Sequence, residues 1–111
     1  PSMGKTVLPM LDRMLATPID EERYRERITA MEVMVFAGAL GPQVGAVSEG
    51  VAEVRRLEAD GKLDEAFRRT DELLKVARKG LVAFLEAQAA QHPESDEMVG
   101  FHAPEAERGG Q

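Results

Sequence analysis

Apolar positions recur along this chain at helical spacing almost from its start. Val7, Leu8, Leu11, Met14 and Leu15 form a one-sided stripe over 6–16, which predicts a short amphipathic helix. Too short to persist alone, it must pack on the rest of the chain. Thr17-Pro18-Ile19-Asp20 reads as a helix start, with Thr17 as N-cap, Pro18 in the first helical position and acids at 20–22 facing the positive end of the dipole. A second helix is expected over 18–40. It carries Tyr24, Ile28, Met31, Val35 and Gly38 on one face, widened by Met34, Phe36 and Ala37. Gly41 and Pro42 supply a stop and a new start, so a tight antiparallel hairpin should lead into a third helix over 42–60. That helix has Val44, Val47, Val51, Val54 and Leu57 on one face, with Gly45, Ala46 and Gly50 beside it, and ends at Ala59-Asp60-Gly61-Lys62. A fourth helix over 63–91 keeps a 4-3 alternation through Leu63, Phe67, Thr70, Leu74, Ala77, Leu81, Phe84 and Gln88, with Gly80 as a candidate bend. Its outer side holds three acid-before-base pairs four residues apart: Asp64–Arg68, Glu65–Arg69 and Asp71–Lys75.

The fold class that follows is all-α: an antiparallel bundle of three long helices with a short N-terminal helix at one end. The fourth helix, at ~44 Å, outreaches the third, at ~28 Å. Its overhang must be covered by the N-terminal helix or by a second copy. Residues 30–47 hold a single charge, Glu32, in a chain whose charged residues make up 31% of the total. Such a stretch is buried on most of its surface, by this chain or by a partner.

Charge divides the chain in two. Residues 1–91 form the bundle, with 15 acids and 13 bases; residues 92–111 form an acidic tail, with 5 acids and 1 base. Within that tail Met98, Val99 and Phe101 make a small apolar cluster. The net charge of −6 argues against nucleic acid as the primary partner, because binding to phosphate relies on Lys and Arg. Without cysteine there is no disulfide or thiolate chemistry, which fits the cytoplasm. Residues 33–47 are uncharged, yet they fall short of the ~20 residues a membrane span needs and are broken at Gly41-Pro42, so no transmembrane helix is expected.

Candidate chemistry is sparse. Gly4-Lys5-Thr6 lacks the upstream glycine and strand of a phosphate-binding loop. His92 and His102 are separated by a proline and a glycine, without the short fixed spacing of metal ligands. Met10 with Met14, and Met31 with Met34, read as core or as adaptable interface. Glu32 either lies on the polar strip of its helix or, facing inwards, pairs with an arginine of another helix. Gly61 to Ala66 resembles the inter-helix turn of tetratricopeptide repeats, but over six residues with no second copy, so no repeat family follows.

With no catalytic residue, metal ligand or cofactor implied, the expected function is binding. The chain reads as a non-enzymatic protein–protein interaction module, a small adaptor or regulatory subunit. It would self-associate or dock a protein partner through an apolar helix face, with Met31, Met34, Phe36, Phe84, Met98 and Phe101 as the contact residues. The alternative is a carrier or sensor of an apolar small molecule held between the second and third helices, where the glycines would leave a cavity.

Overall fold

The computed structural model describes residues 3–91 and is all-α over that range, with no strand among the described residues. Helix α1 spans Met3–Ala16, α2 Glu21–Phe36, α3 Val44–Ala59 and α4 Leu63–Gln91, and a 3₁₀ turn at Gly41–Gln43 leads into α3. The expected tail residues 92–111, and with them Met98 and Phe101, lie outside the described range.

Helix α1 starts three residues earlier than expected and α3 two residues later, and both ends of α2 differ from the sequence reading because a better hydrogen-bonding partner is available. Asp20, not Thr17, caps α2: its carboxylate accepts from the Arg23 N–H at 2.8 Å, and this bond holds the Asp20 carboxyl below its ordinary pKa. Thr17 serves α1 instead, its hydroxyl donating to the Arg13 carbonyl at 2.7 Å. Helix α2 then stops at Phe36 rather than near Leu40. Gly38 takes a left-handed φ of 68°, the Gly38 N–H donates to Val35 O at 3.1 Å, and the Ala39 N–H donates to Met34 O at 3.0 Å. This is a Schellman stop, which glycine permits without a Cβ penalty. The same motif ends α3, where Gly61 (φ 76°) precedes a bond from Lys62 N–H to Leu57 O at 2.9 Å.

The early stop changes the packing. The chain turns through 116° between α2 and the segment Gly41–Ala59, so the two helices cross obliquely and do not form the tight antiparallel hairpin expected. Helix α4 runs through the centre and touches every other element. Helix α3 lies antiparallel to it, as the pairing of Glu53 with Arg69 shows, and the face of Gly50 is filled by Leu73. Helix α2 runs in the same direction as α4, with Tyr24 against Phe67 (ring centroids 5.2 Å apart) and Arg27 against Asp71. Gly80 is a crossing point in an unbroken α4 rather than a bend. A Cβ there would collide with the Leu40 carbonyl and sit 2.9 Å from Gln43 Cβ, so the missing side chain lets the 3₁₀ turn pass over α4. The core gathers Leu11, Tyr24, Ile28, Met31, Leu40, Val47, Val54, Leu74, Ala77 and Leu81 from all four helices and the α2–α3 link.

Helix α1 lies against α4, tied by Arg78 to Asp12 at 2.6 Å, and its C-terminal end is held by Arg27. That arginine is 1% exposed. Its guanidinium donates to Asp71 Oδ1 at 2.7 Å, to Thr17 O at 2.6 Å and to Met14 O, while Nε has no partner among the described residues. One side chain of α2 thus satisfies orphan carbonyls at the end of α1 and an acid of α4.

Replacing Arg27 by Met should leave the Asp71 carboxylate and two carbonyls without their donor. The expected loss is about 3 kcal/mol, towards the low end for a broken buried pair because Asp71 keeps 39% side-chain exposure. Arg27→Lys should lose nearly as much, since a compact ammonium cannot span three acceptors. Urea denaturation followed by circular dichroism checks both; a wild-type midpoint in either variant would show that the cluster holds nothing.

Candidate functional site

An apolar groove opens on the surface of the described residues between α1 and α2. Val7, Met10 and Met14 of α1 face Ala30, Val33 and Met34 of α2 and its C-cap Ala37 across an open groove of about 580 Å³. On α1 these positions follow i, i+3, i+7, and on α2 they cover i, i+3, i+4, i+7, the spacing that places residues on one helical face. Both helices rest on α4, and the Arg27 cluster joins them at one end, leaving a gap between their apolar faces. Glu22, Arg25 and Glu26 rim the charged end of the groove. Arg25 is paired with Glu21 at 3.2 Å; Glu22 and Glu26 make no ion pair among the described residues. At the other end Val33 is 60% and Phe36 94% exposed.

The predicted contact residues divide. Met31 has 0% exposure and belongs to the core; Met34 is buried and contributes to the groove floor. Phe36 stands in solvent beside the groove, whereas Phe84 is half-buried against the core of α4. Met10 and Met14, read from sequence as core or adaptable interface, line the groove, and Val7, Ala30, Val33 and Ala37 join them without having been among the expected contact residues. The available signal was the coincidence of Met10 and Met14 on one side of α1 with the uncharged end of α2.

Other candidate chemistry resolves into structure. Glu32 is exposed on the polar strip of α2 and accepts from Arg55 of α3. Among the described residues no group of three or more His, Cys, Asp or Glu side chains could hold a metal ion. Gly50 of α3 packs on Leu73 rather than on a cavity and Gly45 faces open space, while a smaller polar pocket of about 270 Å³ lies between α2 and α3, lined by Tyr24, Arg25, Ile28, Thr29, Arg55 and Glu58. There the Tyr24 hydroxyl donates to Glu58 at 2.9 Å. Burial first, and the Glu58 carboxylate second, push the Tyr24 phenol up to about 12. Among the described residues no single helix is long and apolar enough to cross a membrane. No protein-family model matches the chain, and no curated protein or solved structure does.

Tyr24 is the only tyrosine and the chain lacks tryptophan, so tyrosinate absorbance reports this group alone. Because the folded pKa lies above the ordinary value of 10.0, the neutral phenol stabilises the fold fully below pH 10.0, and that contribution is lost as pH rises through about 12. The expected midpoint in the folded protein is about 12, and Glu58→Gln should lower it only in part, because burial is the larger cause. A midpoint at 10.0 in the folded chain would contradict the buried geometry.

Proposed function

We propose that the chain is a non-enzymatic interaction module, a small adaptor or regulatory subunit, whose α1–α2 groove receives an amphipathic helix from a second copy or from a protein partner. The reading treats residues 1–91 as the helical body and 92–111 as an acidic appendage. One observation carries it: two apolar helix faces on α1 and α2 frame a gap with no other helix of the described residues between them, Val33 in its wall is exposed, and Phe36 is exposed one turn further along α2. An amphipathic helix laid into such a groove buries its own apolar stripe and both walls at once. The methionines suit this role because their unbranched, polarizable side chains repack around different occupants. Glu22 and Glu26 at the charged end favour an incoming helix with a basic residue beyond its apolar stripe.

A second reading rests on the same groove. Its volume of about 580 Å³ falls within the range of small-molecule sites, and its walls are apolar, so it would suit a carrier of an apolar ligand. Extraction of the purified protein followed by mass spectrometry separates the two readings. A stoichiometric apolar compound supports the carrier; an empty groove that binds protein supports the adaptor.

The direct test is light scattering coupled to size exclusion, on the full chain and on a Val33→Asp/Phe36→Asp double variant. The expected result is a wild-type mass of two or more chains that falls towards 12.2 kDa in the variant, with helicity unchanged. A wild type that stays monomeric at all concentrations and binds an apolar-surface dye no better than the variant would reject the proposal.

A further inference from the structure

Four charged side chains form two matching sets on different faces of the molecule. At one end of the α1–α2 groove Glu22 and Glu26 stand one helical turn apart, and neither makes an ion pair among the described residues. Arg25, on the same rim, is engaged by Glu21. On the other flank of α1 a smaller groove of about 420 Å³ runs along α4, with Leu15, Val82 and Ala83 as its apolar lining and Lys75, Arg78 and Lys79 beside them. Lys75 and Lys79 are also one turn apart and make no ion pair among the described residues, because Asp71, which sequence spacing gives to Lys75, is taken by Arg27. Arg78 is occupied by Asp12. Beyond the lysines the outward stripe of α4 continues through Val82 and Ala83 to the exposed Ala90, interrupted by one charge, Glu86.

We propose that the occupant of the α1–α2 groove is this stripe of α4 from a second copy of the chain. The inference rests on the groove reading above and names its partner. Laid parallel to α2 with Lys75 at Glu22, the stripe brings Lys79 to Glu26, because both pairs are spaced by four residues. The same register sets Val82 and Ala83 at the level of Thr29 and Ala30, and Ala89 and Ala90 at the level of Phe36 and Ala37, where small side chains leave room for the exposed ring. Run the other way with the same ion pairs, α4 would carry Glu72 and Arg68 to Thr29 and Val33, so charge fixes the direction. Glu86 falls opposite Val33 and is the one charge this contact leaves without a partner. Two exposed ion pairs add little affinity; they set register, and burial of the apolar stripe supplies the rest. Within one chain α2 and α4 also run in the same direction, with Tyr24 at Phe67 and Arg27 at Asp71, offsets of 43 and 44 positions. Across the contact the offset from Glu22 to Lys75 is 53, which shifts the second copy by about nine residues, or ~14 Å, along the helices. A two-fold axis cannot relate chains that are parallel and shifted in this way. Each chain therefore offers its groove to one neighbour and its stripe to another, and chains add head to tail.

The test is charge reversal in the full chain, read by light scattering at rising concentration. The wild-type mass should climb past two chains. Glu22→Lys/Glu26→Lys and Lys75→Glu/Lys79→Glu should each weaken self-association by ~100-fold or more with helicity intact, since each sets four like charges together. An equimolar mixture of the two variants should associate again, because the groove of each then meets a stripe of opposite sign, and the fourfold variant should associate by itself. Glu86→Ala should tighten the contact. A mixture that stays monomeric, a mass that stops at two, or a wild type that is monomeric at every concentration would overturn the assignment. If the reversals change nothing while Val33→Asp/Phe36→Asp still disperses the wild type, this occupant is wrong and the groove reading stands; if that double variant leaves the assembly intact, the groove reading fails as well.

Discussion

The buried guanidinium of Arg27 is the constraint on which the arrangement depends. A helix of fourteen residues such as α1 has little stability of its own, and an interior proline, Pro9, removes one of its backbone hydrogen bonds. Its last turn also needs acceptors satisfied where the chain turns towards α2. Arg27 supplies donors to Met14 O and Thr17 O, and its remaining charge is met by Asp71. The cluster therefore fixes three helices at one point. It is not fully satisfied, since Nε lacks a partner among the described residues, and burying such a group has a cost. The stability gained by joining α1, α2 and α4 must exceed that cost for the fold to hold.

The consequences run along α4. The acid-before-base pairs read from sequence assume that each charged side chain looks to its own helix, but the tertiary partners compete successfully. Arg69 takes Glu53 of α3 at 3.0 Å together with Glu72, Asp71 takes Arg27, and Arg78 takes Asp12. An arginine fork reaching a carboxylate across an interface gains directed hydrogen bonds that an exposed i,i+4 pair does not supply. These partners were invisible in the sequence because they are separated by up to 66 positions. Local spacing carries no information at that range.

Local signals suffice for part of the fold. The extent of α4 over 63–91, the stop at Gly61 and the inward face of α3 through Val47, Val51 and Val54 follow from periodicity and glycine chemistry alone. The end of α2 is ambiguous in the sequence because Gly38 fits the apolar face as well as it fits a stop, and only the backbone distinguishes the two. The same ambiguity conceals the groove. A helix continuing to 40 would carry Phe36 and Ala37 mid-helix on a covered face, whereas the real stop leaves Phe36 at a helix end in solvent. The sequence marked the region as apolar, but which of its residues are core, like Met31, and which are surface, like Val33, depends on the oblique 116° turn into α3.

Helix α1 is a wall common to two grooves. Its Val7, Met10 and Met14 face α2, and its Leu15 faces the lysine side of α4. The contact between Asp12 and Arg78 closes a loop far longer than the one closed by Glu53 and Arg69, so α1 is the element whose docking comes at the greatest loop-closure entropy. The position of this one helix, set by the Asp12–Arg78 pair and the Arg27 cluster, therefore fixes the width of two separate spaces that share no lining residue.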